Sequence, residues 1–78
     1  MKAGDVMDGY EELANAIIVK AAKDYRTAIR KQRKHPDDRK ALMDARALER
    51  FFHSRWYRTL TDVDGDFLIN QIRKEAAK

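Results

Sequence analysis

Apolar residues recur at spacings of three and four along the first third of the chain: Tyr10, Leu13, Ala14, Ile17, Ile18, Ala21, Tyr25, Ala28 and Ile29. At about 100° per residue these positions fall on one side of an α-helix, which the spacing predicts over residues 9–34. Asp8-Gly9-Tyr10-Glu11 supplies a capping box for its start, Asp8 accepting a backbone N–H while Glu11 reaches back. Residues 1–7 carry little pattern and are expected to be loose. His35-Pro36-Asp37-Asp38 is the clearest break, because proline disfavours helical geometry in the residue before it and suits a helix's first turn. A second helix is predicted over 36–53, with Ala41, Leu42, Ala45, Leu48, Phe51 and Phe52 on its apolar side. Ser54 can cap a short third helix ending near Leu60. Thr61 and Asp62 can cap a fourth, which is expected to bury Val63, Phe67, Leu68 and Ile72.

These elements predict an all-α fold of three to four helices, a single helical domain over residues 8–78. The long N-terminal helix forms an antiparallel hairpin with helix two, and short C-terminal helices close it. Seventy-eight residues leave room for one small domain with a thin core. One proline and three glycines agree with helices, since sandwiches and barrels need many turn residues. The rings of Phe51, Phe52, Trp56, Tyr57 and Phe67 gather in the second half, where the core is expected to be densest. Trp56 follows Phe52 by four residues and is expected to be substantially buried.

The chemistry-bearing side chains exclude more than they suggest. The absence of cysteine removes disulfides, thiolate-bound zinc and thiol catalysis together. His35 and His53 fall at different helix ends, with no nucleophile and orienting acid at a recognisable spacing. Gly4, Gly9 and Gly65 are isolated, so no phosphate-cradling loop exists. Asp62-Val63-Asp64-Gly65-Asp66 begins as a calcium loop begins, yet position six would be Phe67 and position twelve Arg73, where glycine and a carboxylate are needed. A capped, acidic helix N-terminus accounts for those aspartates. The reading is no enzyme, no cofactor and no metal site. With no long apolar run and no apolar stretch near the N-terminus, the expectation is a cytoplasmic protein with no membrane partner.

Charge is distributed unevenly. Residues 20–58 hold thirteen Lys/Arg against five Asp/Glu, whereas residues 1–19 are net negative by three, within an overall charge of +4. Lys20, Lys23, Arg30 and Lys34 share one helical face, roughly opposite the Ile17, Ala21, Tyr25 and Ala28 stripe. Arg46 and Arg50 form an i,i+4 pair on helix two, and Arg55 and Arg58 flank Trp56 and Tyr57. Such a surface can bind phosphates and stack on bases, or it can be a solvated face. The expected contact residues are Lys20, Lys23, Arg30, Lys34, Arg46 and Arg50, with Tyr57 and Arg50 as anchors should the partner be a protein. Insertion of the last helix into a DNA groove is disfavoured, because Asp62, Asp64 and Asp66 would repel phosphates.

The stretch Leu48-Glu49-Arg50-Phe51-Phe52-His53-Ser54-Arg55-Trp56-Tyr57, followed by Leu60-Thr61-Asp62-Val63-Asp64-Gly65 and Phe67-Leu68-Ile69, resembles small proteins of prophages and integrative mobile elements of Gram-positive bacteria. Ala22-x-Asp24-Tyr25-Arg26 is similar as well. The resemblance covers about residues 10–75, implies a bacterial host cytoplasm and brings no residue roles with it. The function expected from it is that of a non-enzymatic accessory protein that binds and modulates or inhibits a host or phage protein or nucleoprotein, an anti-CRISPR-like, anti-defence inhibitor being one form. The alternative is a direct DNA- or RNA-binding protein of the same element. A virion protein that needs only self-association, for example as a homodimer, is a third class.

Overall fold

The computed structural model describes residues 3–77, with side chains over 9–77. These residues form four helices and no strand: α1 (Ala3–Lys34), α2 (Arg39–Phe52), α3 (Arg55–Leu60) and α4 (Gly65–Ala76). The all-α expectation therefore holds, while several boundaries move.

α1 begins at Ala3, so Asp8 and Gly9 lie within the helix and the Asp8–Glu11 box is not its start. In the sequence the three-and-four spacing continues backwards from Tyr10 through Met7, Val6 and Ala3, which explains why the helix does too. Acidic residues early in the segment suit the positive end of the helix dipole. At the first break the chain turns more fully than expected, and α2 starts at Arg39 instead of residue 36. The Asp38 N–H donates to the His35 carbonyl at 2.9 Å, closing a turn with Pro36 in its second position, a place that suits its fixed φ. Asp38 is the N-cap, its Oδ1 accepting from the Ala41 N–H at 3.0 Å.

Ser54 caps α3 as expected, accepting from the Tyr57 N–H at 3.1 Å. Thr61 and Asp62, by contrast, do not cap α4. Thr61 ends α3 and its hydroxyl accepts from the Val63 N–H at 3.2 Å, while Asp64 is the N-cap residue of α4. The inward stripe of α4 consists of Gly65, Leu68, Ile69, Ile72 and Ala76. Phe67 lies about 160° or more from the middle of that stripe and is exposed, as is Val63 in the preceding turn. Gly65 itself is buried, because a Cβ there would collide with the Phe52 carbonyl oxygen.

The centre of the core is Tyr25, Phe52 and Tyr57. Their rings meet edge to face, Tyr25 on Phe52 at 5.9 Å and Phe52 on Tyr57 at 5.6 Å between centroids. Alanines at 21, 28, 41, 45 and 76 let the helices approach closely around these rings. Trp56 is 57% exposed, contrary to the expected burial. Adjacent helical residues point about 100° apart, and in α3 it is Tyr57 that takes the inward direction. Phe51, half-buried, is what Trp56 leans on, at 5.4 Å and nearly perpendicular.

α1 and α2 form the expected hairpin, with Tyr25 opposite Glu49 and the turn at 35–38 closing one end. α2 has 14 residues against 32 in α1, so it covers less than half of its partner. The molecule is correspondingly long, 51 × 22 × 20 Å, and the N-terminal part of α1 extends past the bundle.

Candidate macromolecular interface

Lys20, Lys23, Arg30 and Lys34 are all exposed on the side of α1 turned away from Tyr25 and Ala28. Their ammonium and guanidinium groups stand in water, so holding them there costs little. Lys20 Nζ contacts Asp24 at 3.3 Å, a pair open to solvent and of small energetic weight. Among the described residues Lys23, Arg30 and Lys34 have no carboxylate partner. Towards the hairpin turn the density of charge rises, for α1 ends in Lys31, Arg33 and Lys34 and α2 opens with Arg39 and Lys40. A shallow depression of about 420 Å³ lies there between Thr27, Arg30, Lys31, Lys34, His35 and Asp38.

Arg46 and Arg50 are exposed too, yet they belong to a different surface. They lie opposite Ala41, Ala45 and Phe52 on α2, and these buried residues face α1, so the two basic sets diverge from the core instead of forming one face. On α2 they continue a row that starts with Arg39 and Met43, at spacings of three and four. Met43 is 68% exposed within that row.

Tyr57 is no contact residue: it is buried, and its hydroxyl has no hydrogen-bond partner among the described residues. Burial, and after it the charge of Asp64, raises its pKa above the ordinary phenol value. The ring next to it in sequence, Trp56, is the aromatic surface of α3, with Arg55 exposed beside it. Reading Trp56 as core hid this from the pattern.

Two polar clusters escaped sequence reasoning because they join distant helices. The Tyr25 hydroxyl donates to Glu49 Oε2 at 2.6 Å, and Arg73 Nη1 lies 3.3 Å from the same carboxylate oxygen and 3.4 Å from the Tyr25 oxygen. This ties α1, α2 and α4 at one point. Burial, then the hydrogen bond to Glu49, pushes the Tyr25 pKa up to about 12. His53 and Asp66 form an exposed pair at 2.5 Å that links the end of α2 to the first turn of α4. The aspartates singled out as a loop motif thus have local positions: Asp64 at the N-cap, Asp66 on His53 and Asp62 exposed in the turn.

No helix among the described residues is long and apolar enough to cross a membrane. No protein-family model, curated protein or solved structure matches the chain.

Proposed function

We propose that the chain is a non-enzymatic accessory protein of a mobile element, acting by binding an anionic surface of a host or phage nucleoprotein and modulating it. The observation that carries this reading is the cluster of cations about the hairpin turn. Those at the end of α1 have a local explanation, because cations there favour the helix dipole. Arg39 and Lys40 have none: they occupy the first turn of α2, the positive end, where the carboxylates stand just outside the helix, at the N-cap Asp38 and at Asp37. Cations placed against the local field, beside others without carboxylate partners, fit a surface shaped for an anionic partner. The resemblance to prophage and integrative-element proteins supports the setting. Direct binding to nucleic acid is the second reading, favoured by Trp56, whose exposed ring can stack on an unpaired base.

Fluorescence anisotropy with labelled duplex DNA, single-stranded DNA and RNA across a salt series tests both. If phosphates are contacted directly, log affinity falls against log salt with a slope of about −0.9 per contact on duplex. Lys23→Glu with Arg30→Glu should abolish that affinity and leave stability nearly unchanged, since exposed charges contribute about 0–1 kcal/mol each. No affinity for any strand at low salt removes the direct reading and leaves the partner's protein surface as the target. Pull-down from host lysate with and without nuclease then identifies it, and capture unaffected by reversal at Lys23, Arg30, Arg39 and Lys40 would overturn the basic surface in both readings.

A further inference from the structure

α4 covers one edge of the α1–α2 hairpin and leaves the other open. Its Ile72 stands near Ala22 and Arg26 of α1, and its Arg73 near Ile29 and Arg33. Asp24, Thr27 and Lys31 lie roughly opposite that side of α1. There α1 and α2 border a depression of about 410 Å³, with Asp44, Ala47 and Leu48 on the α2 bank. It runs into the basic depression at the hairpin turn, the two sharing Thr27 and Lys31.

The two ends of this open side differ in chemistry. At the turn it is cationic: Arg30, Lys31 and Lys34 line it, and the exposed Lys40 lies on the same flank of α2 as Ala47, about 20° from it around the helix. The carboxylate at that end, Asp38, is engaged by the Ala41 N–H. The far end is aromatic, for Phe51 follows Ala47 by one turn and carries the exposed ring of Trp56. From Asp38 to Phe51 the helix rises about 20 Å. Between the ends stand Asp24, held by Lys20 at 3.3 Å, and Asp44. A duplex presents phosphates at even steps and would set some of them against these carboxylates, with its bases stacked away from Trp56. A single strand can turn base edges there instead, where a carboxylate accepts from an exocyclic amino group, and lay an unstacked base on the indole.

We infer that the open side of the hairpin binds unpaired nucleic acid, DNA or RNA, with phosphates at Arg30, Lys31, Lys34 and Lys40 and a base on Trp56; the inference rests on the reading of the basic surface as anion-binding. Trp56 is the sole tryptophan, so its fluorescence reports the contact directly. The whole chain is titrated at low salt with a DNA single strand of about 12 nucleotides, the RNA of the same sequence and the corresponding DNA duplex. Single strands should quench Trp56 and bind at least tenfold more tightly than the duplex. Trp56→Ala should weaken single-strand affinity about fivefold or more by anisotropy, and Trp56→Phe should recover part of the loss. Lys31→Gln with Lys34→Gln should reduce the salt slope on single-stranded DNA by about 1.4, at about 0.7 per phosphate contact. Arg46→Gln with Arg50→Gln, the same loss of charge on the outer side of α2, should leave affinity within about threefold of wild type. Equal losses from the two glutamine pairs, a duplex bound as tightly as the single strand, or binding that neither quenches Trp56 nor responds to Trp56→Ala overturns the inference while the anion-binding reading stands. No affinity for any strand overturns it as well, and the lysate capture with charge reversal then decides the anion-binding reading separately.

Discussion

Gly9 and Gly65, both in helices, call for opposite responses to the same substitution. Gly65 opens α4, and a Cβ there would overlap the Phe52 carbonyl oxygen and stand 3.5 Å from the Phe52 Cβ. The obstacle is backbone, so no side chain can swing aside; α4 must move away from α2 and loosen the contacts of Ile69 and Ile72. Overpacking of this kind costs about 1–3 kcal/mol. The usual benefit of alanine over glycine, about 0.4–1 kcal/mol through a less flexible unfolded chain, offsets part of that. Gly65→Ala should therefore lose about 1–2 kcal/mol, and a domain of this size loses about 4–8 °C in Tm per kcal/mol. Gly9 has nothing within 4 Å of the same added atom and lies inside α1. Gly9→Ala should gain about 0.5–1 kcal/mol of local helix stability, slowing amide exchange around residues 9–13 by about 2–5-fold with no drop in Tm. Urea and thermal unfolding followed by circular dichroism, with exchange read by NMR, separate the two. A Gly65→Ala protein that melts at or above wild type would refute the close approach of α4 to the end of α2.

Tyr25 holds its proton up to about pH 12 when folded against an ordinary 10, so the stability it contributes is present in full below pH 10 and is lost as pH rises towards 12. Tyr25→Phe should flatten that alkaline limb in urea unfolding and cost about 1 kcal/mol at neutral pH, as Glu49 loses its donor. Phe52→Ala, which empties the centre of the core, should cost about 3–5 kcal/mol, whereas Trp56→Ala should stay within about 1 kcal/mol of wild type by the same unfolding assay. Asp38→Ala removes the acceptor for the Ala41 N–H and should cost about 1 kcal/mol in thermal unfolding. Lys40→Glu should change the stability of α2 by less than about 1 kcal/mol in thermal unfolding, the gain from the helix dipole being offset by the carboxylates of Asp37 and Asp38, while lowering affinity for a polyanion.

The helices, their order and the α1–α2 hairpin were legible from three-and-four spacing and from the break at Pro36, because the dominant stabilising term is burial of one helical side. What failed were places where neighbouring rings or apolar residues compete for one inward direction. Phe67 stands about 140° from Ile72 on the helix, so the two cannot share an inward side, and the ring gives way to Ile69. The rings of Trp56 and Tyr57 compete for one inward direction, and periodicity over a six-residue helix is too short to rank them. Lys23, Arg30 and Lys34 were found because exposed residues opposite a clear stripe follow from geometry alone. Arg46 and Arg50 were assigned to the same face only because the wheel of one helix says nothing about the direction in which a second helix points. The Tyr25–Glu49–Arg73 contact joins residues 24 positions apart in each step, so no local rule could have drawn it.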